Sequence, residues 1–240
     1  MMLKKTYFCL VLFCLPRFAC AYDYFISISA GPGWTSPGKT QTLVLSPDVI
    51  KTYVPENLAS PHVLVDGEIF FGIQQSYFKS VESQFGLDLY ASSPVKLKGF
   101  IQEDGDPNFQ NYTYRYKISH EHLALKTQWI FENAMNVNPY VSASLGAGLN
   151  HSFGYSVSPL ISQEVAAPPF QNKTQIALSY AIGAGFQQNI NQHFAVALGY
   201  QLVSFGKSSL SHASGQTSGK ALALQNVYTQ NLELTISYFL

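Results

Sequence analysis

Charge is scarce in this chain. Of its 240 residues only 12% are Asp, Glu, Lys or Arg, about half the usual ~25% share. Basic and acidic residues each number 14, so the formal net charge is zero. That leaves no electrostatic footprint for nucleic acid. Disorder is excluded as well, because it needs high charge and few aromatics, and aromatics here make up 14%. Long apolar runs are also missing. A helical membrane bundle needs runs of ~20 apolar residues, and only the N-terminus comes near one. Cysteine is confined to Cys9, Cys14 and Cys20. What is abundant is a mixture, 47% hydrophobic residues interleaved with uncharged polar ones. A β protein with one apolar and one polar face has that composition.

Residues 1–21 read as a secretory signal peptide. Lys4 and Lys5 form its positive region and Tyr7 to Leu15 its apolar core. Ala19-Cys20-Ala21 is a small-residue cleavage site, with Ala19 and Ala21 flanking the Cys. The expected mature chain, 22–240, is a single barrel domain. It has no cysteine, and eleven basic against fourteen acidic residues give it a net charge of −3. A secreted protein without disulfides needs another source of stability.

No part of 22–240 keeps a 3.6-residue apolar period, whereas eight segments keep period two, the strand signal. They lie near 22–34, 63–78, 84–101, 111–131, 140–156, 174–188, 194–205 and 222–240. In the third, the odd-numbered apolar set Phe85, Leu87 and Leu89 continues past Pro94 into Val95, Leu97 and Ile101. In the fourth, Tyr112, Tyr114, Tyr116 and Ile118 are even-numbered, while Leu123, Leu125, Trp129 and Phe131 are odd-numbered. That change of parity predicts a β-bulge around His120 to His122. The connections alternate. Those at 35–62, 102–110, 157–173 and 206–221 are long or irregular, and those at 79–83, 132–139 and 189–193 are short.

One face of these segments is bulky and apolar, and the other is Gly, Ala, Ser, Gln and Asn. Small polar side chains suit the inside of a narrow membrane barrel and would leave a soluble barrel underpacked. Aromatics gather at predicted strand ends. Tyr24, Trp129, Tyr140, Phe194 and Tyr238 lie on the short-turn side and Trp34 nearer the loops, as in two interfacial girdles.

With the leader, eight strands and loop rhythm in place, the chain resembles small outer-membrane β-barrels of the OmpA/OmpX-like class. Its C-terminal alternation of Leu232, Leu234, Ile236, Tyr238 and Leu240 resembles the terminal strand that the barrel assembly machinery recognises. In that class the last residue is usually Phe, and here Phe239 precedes Leu240. The resemblance implies an all-β, eight-stranded antiparallel up-and-down transmembrane barrel in a bacterial outer membrane, with both termini periplasmic. The implied partners are outer-membrane lipids and the assembly machinery.

The inward charges are Asp66, Glu68, Asp88, Lys126 and Glu233. Counting along the strands predicts a lumenal ion-pair network of Asp88, Lys126 and Glu233, with Glu68 beside it. Pairing makes such burial tolerable. The network is read as a structural plug, or alternatively as the gate of a small pore. His120 and His122 put two imidazoles on one face, but no third ligand is identifiable. His212-x-Ser214 resembles the His-x-Ser pair of lipid A deacylases, yet it sits in a Ser/Gly-rich loop with no acid nearby. No catalytic residue, metal site or cofactor is expected. The expected function is a structural or surface-interaction role through the loops, with a host or envelope ligand. A narrow porin-like channel and a lipid A-modifying barrel enzyme are the alternatives. Leu43, Val44, Leu45, Val165 and Phe170 are apolar loop residues that either meet that ligand or fold over the barrel mouth.

Overall fold

The computed structural model describes residues 23–35, 38–47, 49–56, 62–78, 80–134, 136–162, 168–216, 219–224 and 226–240. The expected leader, with Ala19 and Ala21, and loop residue Val165 lie outside the described residues. The chain runs through β1 (Asp23–Thr35), β2 (Gln41–Ser46), β3 (Val49–Pro55), β4 (His62–Phe78) and β5 (Val81–Ser92). It continues as β6 (Val95–Glu103), β7 (Gln110–Phe131), β8 (Asn138–Pro159), β9 (Phe170–Gln171) and β10 (Lys173–Asn189). β11 (Phe194–Ser204), β12 (Ser208–Ser209), β13 (Ser211–Ala213), β14 (Ala223–Leu224) and β15 (Tyr228–Phe239) complete it.

Eight strands close a ring in the order β7, β5, β4, β1, β15, β11, β10 and β8, with β8 returning to β7. Every pairing is antiparallel, so this is an up-and-down barrel. Its seam joins the first strand to the last, from Phe25↔Phe239 to Thr35↔Thr229. Closure leaves the wall without a free edge strand, which a hydrocarbon environment requires. The wall is apolar outside. Ile28, Leu125, Leu145, Ile176, Ile182, Leu198 and Ile236 are all exposed. Inside it is polar, with Ser27, Gln84, Asp88, Ser144, Ser179, Gln187 and Asn231 buried.

β7 and β8 are each 22 residues long, about twice the ~9–11 that cross a bilayer. Their far halves leave the belt and carry a rim. There β6 pairs with the first part of β7, and the β2–β3 hairpin extends the sheet from β6. The free edge of β2 is covered, as exposed edges require. The Ala223 N–H donates to Gln41 Oε1 at 3.1 Å. A Cβ on Gly219 would sit 2.1 Å from the Val44 carbonyl oxygen, so that loop is pressed against the strand.

The bulge read at His120–His122 is not on β7. Even-numbered residues of β7 point inward without interruption from Tyr112 to Ala124 and Lys126. The extra residue lies on the neighbouring strand. Ala91↔Glu121 and Val95↔Ile118 show four steps on one side against three on the other, around Ser93-Pro94. Pro94 has no N–H to give the ladder. The Ser92 hydroxyl instead accepts the His120 N–H, and the Ser93 hydroxyl accepts the Val65 N–H. The inserted residue flips the faces. Leu87 and Leu89 look outward, whereas Val95, Leu97 and Ile101 are buried. A second offset lies on β8 opposite Arg115 and Lys117, where Gly154 adopts φ +67°. No atom lies within 4 Å of where its Cβ would stand.

The inward tyrosines of β7 therefore line an aromatic chamber inside the rim. Tyr112, Tyr114 and Tyr116 pack there with Tyr53, Leu64, Leu210 and Leu222. Leu43 and Phe170, read from sequence as loop residues, are buried in it, and Leu45 packs partly against it. Val44 stays exposed. Tyr140 is also corrected. It is 8% exposed and faces the lumen beside Ile130 and Ala197. Tyr24, Trp129, Phe194 and Tyr238 do face outward, and Trp34 is half-buried.

Gly72 and Gly86 face each other across β4 and β5. A Cβ on Gly86 would lie 2.0 Å from the Phe71 carbonyl oxygen. G86A should cost about 1–3 kcal/mol, read as a lower denaturant midpoint of the refolded barrel. An unchanged midpoint would refute this close approach.

Candidate functional site

The lumen is built in tiers, because each inward residue follows the last by two positions and each strand contributes one per tier. In one tier of the wall, β7 supplies Lys126, β4 supplies Glu68 and β11 supplies Gln201. Lys126 and Glu68 form a charge-assisted hydrogen bond, buried at both ends. Gln201 Nε2 donates to the other Glu68 oxygen at 3.1 Å. The Lys126 ammonium also lies 5.1 Å from the Phe70 ring centroid. Glu233 is buried on the facing wall. The cavity among these groups is about 20 Å³, near the ~10–15 Å³ that one water needs.

One tier further, Asp88 on β5 does not join Lys126 directly. Its Oδ2 lies 3.1 Å from His122 Nε2. A carboxylate can only accept, so His122 carries its proton on Nε2. Ser179 Oγ on β10 lies 3.3 Å from His122 Nδ1. Tyr90 stacks on the His122 ring at 5.0 Å and donates to Asp66, while Asn231 donates to the Tyr90 hydroxyl. Ser179, His122 and Asp88 thus stand in the order of a nucleophile, base and orienting acid. All three side chains are sealed from solvent.

Above it, Phe205 closes the lumen. Its ring stacks on His120 with centroids 4.8 Å apart and planes 8° apart. Asn150 holds the Phe205 backbone, donating from Nδ2 to the Phe205 and Lys207 carbonyls at 2.7 Å. Its Oδ1 lies 2.8 Å from His120 Nδ1. The next tier is the aromatic chamber, where Lys51 pairs with Glu103 at 3.2 Å and lies over the Tyr112 ring. Burial pushes the Tyr53 phenol up to about 12, with a hydrogen bond to Tyr155 pulling the other way. The chamber's phenols stay neutral at physiological pH.

Relative to the sequence reading, Lys126 meets Glu68 first, Asp88 is taken by a histidine, and Glu233 stands without an ion-pair partner among the described residues. His122 was missed as a partner because the parity change assigned to its strand hid that it shares a face with Lys126. Phe205 was missed because a bulky ring at the end of the seventh segment does not fit a lumen face read as small and polar. His120 and His122 face inward with organic partners, and no cluster of three metal-ligating side chains occurs among the described residues. His212 is the exposed middle residue of the short strand β13, and its Nε2 lies 3.3 Å from the Gly219 carbonyl oxygen. Leu232, Leu234, Ile236, Tyr238 and Leu240 form one exposed apolar row on and just past β15.

Lys126→Met leaves Glu68 buried without its cation. The expected loss is about 3–5 kcal/mol, read by unfolding of the refolded barrel in detergent. The double change K126M/E68Q should recover part of it. Wild-type stability in K126M would remove this pair from the account.

No family model matches the chain, and no curated protein matches it. Among solved structures, Neisserial surface protein A is 10% identical, with a TM-score of 0.46, covering 90% of this chain and 96% of that one. The outer membrane protease OmpT from Escherichia coli is 8% identical, with a TM-score of 0.49, covering 91% and 97%. OprG from Pseudomonas aeruginosa is 13% identical, with a TM-score of 0.44, covering 91% and 96%. With its closed ring of eight antiparallel strands, apolar belt and polar interior, the chain has the fold of an eight-stranded up-and-down transmembrane β-barrel.

Proposed function

We propose that this protein is a non-conducting barrel of a bacterial outer membrane, with both termini periplasmic. Its role is structural and surface-interactive, exercised by the rim. The observation that carries this is the filled lumen under a well-built rim. Three tiers of paired side chains and the Phe205 ring occupy the barrel, while the far halves of β7 and β8 support a sheet beyond the belt. A channel needs the opposite arrangement, an open bore under loose loops. The leader and the apolar C-terminal row support export and recognition by the assembly machinery. Val44, Val49, Ile50 and Phe109 are exposed apolar residues on the rim, available to a host or envelope ligand.

The test has three readouts. The protein should fractionate with the outer membrane and shift in mobility on boiling. It should give no discrete channels in planar bilayers. Bacteria displaying it should adhere to an epithelial monolayer above vector controls, and replacing 40–55 with a short Gly-Ser turn should abolish that gain without changing the heat shift. Discrete channels, a soluble periplasmic product or undiminished adhesion would overturn the reading.

A further inference from the structure

One patch of the rim contradicts the economy of charge seen elsewhere. On its outward face Lys96 stands directly opposite Lys117, and Lys98 directly opposite Arg115. Like charges facing each other across strands are destabilising. A chain with so few charges has placed four cations in two such pairs. Their compensation within the protein is slight. Glu56 approaches Lys98 at 3.8 Å with both side chains about half exposed, where an ion pair contributes little. Lys96, Lys117 and Arg115 form no ion pair among the described residues. Arg115 is nevertheless oriented, because its Nε donates to Ser156 Oγ at 2.8 Å. The β8 offset around Gly154 leaves a shallow depression beside it, lined by Lys96, Arg115, Lys117, Phe153 and Ser156.

The patch has a definite height. On the same outward face Leu123, Leu149 and Ile176 are exposed apolar residues of the belt. Leu149 pairs with Glu121, four residues from Lys117 along β7. At ~3.4 Å per residue that is about 14 Å along the strand. With a tilt of roughly 40° it is about 10 Å along the barrel axis. Extended Lys and Arg side chains reach back from there into the headgroup layer. Phe153, half-buried at the level of Lys117, adds an apolar contact there.

We propose that Lys96, Lys98, Arg115 and Lys117 form a binding site for the anionic phosphomonoester groups of lipid A in the outer leaflet, which the zwitterionic phosphodiester of phosphatidylcholine does not replace. Phosphate oxygens between the facing cations turn each repulsive pair into a bridged one. The idea rests on the outer-membrane placement proposed above. The two fail separately, since fractionation and heat shift test placement and the following assay starts from the refolded, full-length barrel.

The barrel is placed in nanodiscs of phosphatidylcholine alone, or of phosphatidylcholine with bisphosphorylated lipid A, and its thermal unfolding midpoint is measured. Lipid A should raise the wild-type midpoint. K96Q/K98Q/R115Q/K117Q should lose that rise. In phosphatidylcholine alone it should unfold no earlier than wild type, because the cross-strand repulsion is gone. K96Q/K117Q, which keeps one facing pair, should retain part of the rise and serves if the quadruple variant does not refold. An equal rise in wild type and variants would overturn the site. Inorganic phosphate giving the same rise in phosphatidylcholine nanodiscs would overturn the lipid as its occupant.

Discussion

A backbone N–H inside hydrocarbon has no water to bond to, and that constraint organises the whole molecule. A sheet meets it only by having no edge in the membrane, which forces the first strand onto the last. The ring then has a narrow inside, with room for only a few rings such as Phe70, Tyr90 and Phe205. Small and polar residues fill most of it, and a buried charge there needs a polar partner, as Lys126 with Glu68 and Asp66 with Tyr90 show. The low charge content, the glycines of the lumen-facing rows and the Lys126–Glu68 pair are three outcomes of one closure.

Above the belt the constraint lifts, and the interior changes with it. The same inward row of β7 that carries Lys126, His122 and His120 lower down carries Ile118, Tyr116, Tyr114 and Tyr112 higher up. Water surrounds the rim, so its interior is built like that of a soluble protein, apolar inside and charged outside. Ser93-Pro94 and Gly154 mark the change of regime on either side of β7. Phe205 divides the two interiors, one ring face against a histidine and its backbone held by an asparagine.

The eight-strand ring was legible in the sequence because period two survives in every wall segment, and the alternation of long and short links sets the direction of travel. Which face is inside was legible from side-chain size for most of the wall. It failed at the rim, where Val95, Leu97 and the β7 tyrosines are bulky and inward. A rule that puts bulky residues toward lipid inverts wherever lipid ends. Asp88, Glu68, Lys126 and Glu233 were legible as inward charges, but their pairing was not. Partners across a lumen are set by stagger between strands, and one inserted residue displaces them. His122 has no charge pattern to announce it, and Ser179 is one serine among many.

The seam also sets a clock. Ser27 and Ser237 share a hydrogen bond across it at 2.8 Å, although 210 positions apart in the chain. Contacts of such sequence separation are the slowest to form, and the open sheet keeps two edges until they do. Before the last strand exists, every partial sheet presents unpaired ends and a bulky apolar face to whatever surrounds it. A chain of this design is therefore all or nothing in time as well as in space. It must be kept from pairing with its neighbours until its final dozen residues arrive.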